Sequence, residues 1–197
     1  MTFTLIATTT MGLESVLNQE LKQLGYLNTK VYDGKVEFEG SLKDICKTNL
    51  WLRTAGRVYL KIGSFKATTF DDLFEQTYNL EWHKIIQKED PFPITKVTSK
   101  KSELFSKSDC QAIVKKAIVK KLKKEHQTSY LSECSSAKFA IRIQIHNDEV
   151  ILSIDTTGEG LNKRGYRAHR DTAPLRETLA AGLILLSRWR PEKDILI

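Results

Sequence analysis

The chain has 197 residues, a net charge of +7, 41% hydrophobic residues and three cysteines. This length allows one large domain or two small ones, and the hydrophobic content is sufficient for ordinary globular cores. The sequence lacks an apolar run long enough to cross a membrane, a signal peptide, and cysteines with zinc-ligand spacing or in even number. We therefore expect an unexported, cytoplasmic protein without a metal site or a disulfide framework.

The positive charge is concentrated in two segments. Residues 96–125 carry ten lysines against three acidic residues, and residues 161–197 carry eight Lys/Arg against four, whereas the rest of the chain is near neutral or acidic. A surface that is charged only for solubility would mix both signs throughout. Two basic blocks are instead typical of a protein that binds a phosphate backbone.

Residues 1–65 predict a small α+β domain. Phe3–Thr8 has the composition of a strand, and a stripe of apolar residues at helical spacing follows until Gly25. A hairpin is predicted around Asp33-Gly34, with a type I′ turn, because this dipeptide tolerates positive φ. SLKDICKTNLWL then predicts a second helix and RVYLKIGSF a further strand. The order β-α-β-β-α-β is that of the ferredoxin-like fold.

Residues 66–160 predict a second α+β domain. Thr69 is a suitable N-cap for a short helix, and a strand follows Pro91 and Pro93. SKSDCQAIVKKAIVKKLKKEHQ predicts a long amphipathic helix, and two alternating strands meet around Asn147-Asp148.

The long helix carries its charge on one side. Ile113, Val114, Ala117, Ile118 and Leu122 define an apolar side, and Lys121 must reach outward from it. The predicted basic face consists of Lys115, Lys116, Lys120, Lys123 and Lys124, with Lys100 and Lys101 just upstream. Like charges at this spacing repel unless a polyanion neutralises them, so we interpret the face as a nucleic-acid surface. The alternative is an ordinary solvated helix face.

Sequence motifs for catalysis are absent from the chain. His83, His126, His146 and His169 lie far apart, without a neighbouring nucleophile or an HExxH motif. The segment TTGEGLNKRG lacks the third small residue of a dinucleotide loop, and it leads into a basic segment and not into a helix. We therefore predict no enzymatic site in this chain.

The segment LNKRGYR, residues 161–167, is followed by APLRETLAAG, residues 173–182. Together with Gly12-Leu13-Glu14 at the start of the first helix and the lysine-rich middle, this junction resembles the THUMP-containing RNA methyltransferases of the bacterial 23S rRNA guanine-N2 class. Proteins of this class are often labelled N6-adenine-specific DNA methylases. The resemblance implies an α+β chain with a ferredoxin-like domain, a THUMP RNA-binding domain and the leading helix of a truncated Rossmann-like methyltransferase domain.

This resemblance also implies a function. The chain would be the RNA-binding N-terminal region of an S-adenosylmethionine-dependent rRNA (guanine-N2) methyltransferase. Two alternatives are a stand-alone THUMP adaptor that delivers RNA to a partner enzyme, and a DNA adenine-N6 methyltransferase. Residues 161–172 would form a basic linker and residues 173–197 the start of the methyltransferase domain. The cofactor loop and catalytic motif of the family do not occur here, so we expect neither catalysis nor S-adenosylmethionine binding from this chain alone.

Site residues follow from the same resemblance. The linker would contact RNA through Lys163, Arg164, Tyr166, Arg167 and Arg170, with Tyr166 either stacking on a base or covering the linker. The residues implied near the cofactor are Thr172, Pro174, Leu175 and Glu177. Their alternative role is to begin an apolar helix over residues 174–189, with Asp171 or Thr172 as the cap and Pro174 in its first turn. We expect the apolar side of this helix to self-associate, to dock on the THUMP domain, or to be disordered.

Overall fold

The computed structural model describes residues 2–165, 174–187 and 189, which form two compact units. The first unit contains the described residues of Met1–Leu60 and Thr156–Ile197, and the second contains Lys61–Asp155. The elements in chain order are β1 (Phe3–Thr8), α1 (Glu14–Gln23), β2 (Thr29–Tyr32), β3 (Lys35–Gly40), α2 (Leu42–Trp51), β4 (Arg57–Lys66), α3 (Phe70–Asn79), β5 (Ile94–Lys100), α4 (Lys107–Glu125), β6 (Ile141–His146), β7 (Glu149–Asp155) and α5 (Glu177–Leu186). Strand β4 begins in the first unit and ends in the second.

The first unit has the predicted ferredoxin-like topology. Its strands are ordered β2-β3-β1-β4, and all neighbouring pairs are antiparallel. In the middle of this sheet, Leu5 lies opposite Phe38 of β3 and Leu60 of β4, and all three side chains are buried. The core also contains Leu17 and Leu21 of α1, the apolar stripe predicted from the sequence. Burial of this face is what drives the sheet and helix together.

The first helix ends where the sequence predicted. Gly25 has a φ of +100°, and glycine adopts this conformation at little energetic cost because it has no Cβ. The N–H of Tyr26 donates to the carbonyl oxygen of Leu21, which closes the end of the helix.

The two hairpin turns differ from each other, and only one has type I′ geometry. In the β2–β3 turn only Gly34 has positive φ, whereas a type I′ turn requires it at both central residues, so the type I′ prediction for Asp33-Gly34 is wrong. Tertiary hydrogen bonds hold this turn: the Gly34 N–H donates to Oε1 of Glu14 at 2.8 Å and its carbonyl accepts from Thr9. The turn between β6 and β7 has positive φ at both Asn147 and Asp148, as the type I′ geometry demands.

The start of α2 is held by a carboxylate. Asp44 accepts hydrogen bonds from the backbone N–H and hydroxyl of Ser41, completing a capping box, and from the hydroxyl of Tyr26 at 2.7 Å. The Tyr26 bond, followed by those from Ser41, lowers the pKa of Asp44 from 3.8 to about 2. The ionised form is therefore favoured by folding, and its contribution is complete above pH 4.

We expect Asp44→Asn to lose this contribution at neutral pH and to show little difference from wild type near pH 2. The folded pKa is depressed, so the stabilisation that Asp44 adds disappears as the pH falls from about 4 through 2. Urea unfolding at a series of pH values should show that the free energy of unfolding of the variant is about 1–2 kcal/mol below that of wild type at pH 7. This difference should disappear in acid. A difference independent of pH would contradict the role given to the carboxylate.

The second unit contains the end of β4 with β7, β6 and β5 in that order, and β5 is parallel to β6 while β6 and β7 are antiparallel. Thr69 caps α3 as predicted, because its hydroxyl accepts from the backbone N–H of Asp72 at 3.1 Å. The segment after α3 forms a short 3-10 turn at Trp82–Lys84, and Trp82 is completely buried. This short turn thus supplies the largest fully buried side chain of the unit.

Helix α5 begins later than predicted. It starts at Glu177, after an extended Arg176, so the prediction that Pro174 lies in its first turn is wrong. Its buried positions are Thr178 and Gly182, and a Cβ at Gly182 would lie 2.5 Å from Cδ1 of Leu13. A side chain at position 182 would therefore clash with Leu13, which lies just before α1. The described part of α5 packs against α1 within the first unit.

Leu183, Ile184 and Leu186 of α5 are each about half exposed. Across residues 2–165, 174–187 and 189, no helix combines the length and apolar character that spanning a membrane requires.

Candidate nucleic-acid interface

Helix α4 is amphipathic in the way that the sequence predicted. Its buried side chains are Cys110, Val114, Ala117, Ile118 and Leu122, which face the interior of the second unit. Lys116, Lys120 and Lys124 are exposed, and Lys123 is partly exposed. Within the described residues none of these four lysines forms an ion pair. The face therefore carries four positive charges that the second unit does not neutralise.

Lys115 is the exception on this face. Its Nζ lies 3.6 Å from the ring centroid of Phe92, donates to the carbonyl oxygen of Phe92 and pairs with Glu133 at 3.3 Å. These contacts connect α4 to two loops of its own unit. Lys115 is thus engaged within its own unit and differs from the other four lysines of the face.

Lys121 reaches the surface from the apolar side, as predicted. Its side chain is only 15% exposed, and Nζ pairs with Glu125 at 2.9 Å. The pairing lowers the pKa of Glu125, because the hydrogen bond from Lys121 favours the carboxylate.

Lys100 and Lys101 are exposed where β5 ends. Lys100 lies opposite His146 in the β5–β6 register, and its carbonyl oxygen accepts from the N–H of Asn147. Lys101 has a φ of +50°. The two lysines therefore flank the β6–β7 turn, at one end of the sheet in this unit.

The segment after β7 returns to the first unit through hydrogen bonds. Thr156 donates its N–H to Val58, and Thr157 donates its hydroxyl to Oδ1 of Asn49 at 2.8 Å. The Arg164 guanidinium donates to the carbonyl oxygens of Asn49 at 2.6 Å and Leu52 at 2.8 Å, at the C-terminal end of α2. A cation is favourable there because these carbonyls have no partner within the helix. Arg164 thus caps α2, a role that the sequence analysis missed.

A shallow cavity of about 430 Å³ lies in the first unit beside this contact. It is lined by residues that include Asn49, Thr156, Thr157 and Lys163. The Asn49 amide already donates to Ile45 and Thr156, so the polar groups here serve the fold. Lys163 is exposed beside them.

The remaining predicted site residues divide into two groups. Tyr166, Arg167, Arg170 and Thr172 lie outside the described residues. Pro174 and Leu175 are exposed ahead of α5, and Glu177 is partly exposed at its first position.

The sequence analysis also missed an aromatic stripe on α3. Phe70, Phe74 and Tyr78 are spaced four residues apart, which places them on one side of the helix. The rings of Phe74 and Tyr78 are nearly parallel, with an interplanar angle of 9° and centroids 6.3 Å apart. The spacing itself was a signal that could have found this feature.

Potential metal ligands are not clustered in the described part of the chain. No group of three or more His, Cys, Asp or Glu side chains there is arranged to hold an ion, and all three cysteines are free thiols.

Comparison with known proteins defines the class of these two units. Residues 4–59 match the model of the RlmL ferredoxin-like domain, and residues 67–155 match the THUMP domain. The protein "Putative RNA methyltransferase YpsC" of Bacillus subtilis (strain 168) is 46% identical over 98% of this chain and 50% of its own length. "Ribosomal RNA large subunit methyltransferase K/L" of Desulfotalea psychrophila (strain LSv54 / DSM 12343) is 30% identical over 98% of this chain and 26% of its own.

A solved structure agrees with both relatives. "Crystal structure of SMU.472, a putative methyltransferase complexed with SAH" superposes with a TM-score of 0.91 at 42% identity, covering 98% of this chain and 50% of that one. The chain is thus a ferredoxin-like domain joined to a THUMP domain. Its relatives are named RNA methyltransferases, as the sequence resemblance predicted, and the chain spans at most half the length of the two relatives and of the solved structure.

Proposed function

We propose that this chain is the RNA-binding N-terminal region of an S-adenosylmethionine-dependent rRNA (guanine-N2) methyltransferase acting in the cytoplasm, with 23S rRNA as its partner. The observation that carries the proposal is the unpaired lysine face of α4, on a THUMP domain whose relatives are named RNA and ribosomal RNA methyltransferases. Lys116, Lys120, Lys123 and Lys124 would contact phosphates. Phosphate contacts position the RNA and carry no sequence information.

Further proposed RNA contacts lie on each of the two units. Lys163 is exposed next to the Arg164 cap of α2, and Lys100 and Lys101 provide two further exposed charges on the second unit. Tyr166, Arg167 and Arg170 remain proposed contacts from the resemblance. In this arrangement the chain holds a stem or loop and presents a guanine, whose exocyclic amine is the group to be methylated.

The cofactor supplies the methyl group in this class of reaction, and an SAH complex of a similar structure supports its use by the longer protein. The described residues implied near it, Pro174, Leu175 and Glu177, offer one carboxylate and apolar surface ahead of α5. Such a set does not enclose a nucleoside, so we derive no catalytic step from this chain.

The exposed apolar side chains of α5 support the methyltransferase assignment over a stand-alone adaptor, because an adaptor has no use for an apolar helix at this position.

RNA affinity should fall steeply with salt and depend on the α4 face. A plot of log K against log salt should have a slope of roughly −0.7 to −0.9 for each phosphate neutralised. The double variant Lys116→Glu/Lys123→Glu should flatten this slope and weaken binding to all RNA sequences alike. A filter-binding salt titration on an rRNA hairpin measures both quantities.

The matched control is the double variant Lys22→Glu/Lys43→Glu, which reverses the charge at two exposed lysines of the first unit. It changes the net charge by the same amount as the α4 double variant. The control should change the salt slope and the RNA affinity much less than the α4 double variant does. An equal loss in the two double variants would show that only net charge matters, and a wild-type slope near zero would overturn the proposal. Tighter binding to a DNA duplex than to the hairpin would favour the alternative DNA substrate.

A further inference from the structure

The aromatic stripe of α3 and the lysines of α4 form one cluster in the second unit. Phe70 is 40% exposed, and Phe74 and Tyr78 are partly exposed. Lys120 Nζ lies 5.3 Å from the Phe74 centroid and 5.6 Å from the Tyr78 centroid. Helix α3 packs against α4, and its three at least partly exposed aromatic side chains form an apolar patch beside the lysines.

Three ammonium groups converge on the Tyr78 ring. The Nζ atoms of Lys120, Lys121 and Lys124 lie 5.6, 5.5 and 5.9 Å from its centroid. Cation–π attraction accounts for one or two such contacts, but like charges gathered at one ring also repel each other. Only Lys121 has an ion-pair partner in the described part of the chain.

The acidic residues of α3 do not neutralise the cluster. Asp71, Asp72 and Glu75 are exposed, and none of them forms an ion pair with Lys120 or Lys124 in the described structure. Two positive charges beside an accessible aromatic pair therefore remain available to a ligand.

We propose that Phe70, Phe74, Tyr78, Lys120 and Lys124 form a base-stacking subsite for single-stranded RNA. Single-strand sites in proteins combine aromatic rings, on which bases stack, with cations that contact the phosphates between them. The stripe provides the rings and α4 provides the cations at the distances given above. A duplex keeps its bases stacked on each other, so only unpaired nucleotides can use the rings. This proposal rests on the proposed RNA binding and adds the class of nucleotide that the second unit recognises.

The test compares single-strand and duplex binding by the 197-residue chain. Tyr78→Leu keeps an apolar side chain but removes the π face, and it should weaken a short unstructured oligoribonucleotide by about 5- to 150-fold. The salt slope should stay unchanged, because no phosphate contact is lost. Tyr78→Phe should bind like wild type, and Phe70→Leu provides a second, more exposed position if Tyr78→Leu lowers stability. Fluorescence anisotropy with a labelled oligonucleotide measures each variant.

Tyr130→Leu is the matched control, since Tyr130 is 69% exposed on the same unit and, among the described residues, no lysine lies over its ring. It should leave single-strand affinity unchanged. A blunt RNA duplex should bind wild type and Tyr78→Leu equally well. Lys120→Gln/Lys124→Gln should reduce the salt slope for both ligands.

The outcomes separate this proposal from the one on which it rests. If wild type binds RNA with a steep salt slope while Tyr78→Leu and Phe70→Leu bind single strands normally, the stacking subsite is wrong and general RNA binding stands. If wild type binds no RNA, both fail together. Photocrosslinking with 5-iodouridine in the oligonucleotide should label Tyr78, Phe74 or Phe70, and labelling confined to other residues would also overturn the subsite.

Discussion

Replacing Glu20 by glutamine should lower the free energy of unfolding of the first unit by about 3 kcal/mol. Glu20 is 5% exposed, and its carboxylate accepts from the backbone N–H of Thr54 at 3.0 Å, the Thr54 hydroxyl and Nε of Arg53 at 2.8 Å. Both carboxylate oxygens are occupied by donors. A glutamine must turn an N–H toward one set of these donors, which leaves buried polar groups unsatisfied and unties the α2–β4 loop from α1.

Urea unfolding combined with hydrogen exchange of peptides from residues 3–60 would locate the loss in this unit. Glu39→Gln is the matched control, because Glu39 is exposed on β3 and should change stability by no more than about 0.5 kcal/mol. Equal stability of the two variants would show that the Glu20 network does not hold the loop.

Trp82→Ala should destabilise the second unit by about 3–5 kcal/mol. The indole is fully buried, and its Nε1 donates to the carbonyl oxygen of Thr77 at 2.8 Å, so the substitution opens a cavity and removes a hydrogen bond at the end of α3. Trp82→Phe should lose less, because it retains most of the apolar volume. Thermal unfolding and hydrogen exchange of peptides from α3 and α4 measure both.

Trp51→Ala serves as the control for this second experiment. Trp51 is 66% exposed at the end of α2, so its removal leaves no cavity and should change stability by about 0.5 kcal/mol or less. A Trp82→Ala variant as stable as Trp51→Ala would contradict the role of the indole in the core.

Periodicity and turn residues predicted the seven strands and five α-helices of the described structure, because many of these elements have a buried face that the sequence displays. Leu17 and Leu21 on α1, and Val114 and Ile118 on α4, are examples at helical spacing. Side-chain contacts between distant residues carry no such local signal. The Arg164 cap spans 115 residues to Asn49, and Lys115 meets Glu133 across a loop, so neither could be read from spacing.

Backbone conformation was predictable only in part. Asp33-Gly34 and Asn147-Asp148 are both good turn sequences, yet only the second adopts positive φ at both residues. Contacts of Gly34 with Glu14 and Thr9 decide the first turn, and they come from another part of the chain. Helix α5 likewise begins at Glu177 and not at the proline ahead of it.

The return of the chain to the first unit after Asp155 has a consequence for folding order. The second unit is, topologically, a loop of about 95 residues inserted into the first, and closing a flexible loop of that length costs about 4 kcal/mol of chain entropy. The hydrogen bond from the N–H of Thr156 to the carbonyl oxygen of Val58 can form without this entropy cost only when the inserted residues are already folded and their ends are held near each other. We therefore expect the THUMP domain to fold first. Substitutions that destabilise it should also weaken the packing of the segment after Thr156 on the first unit.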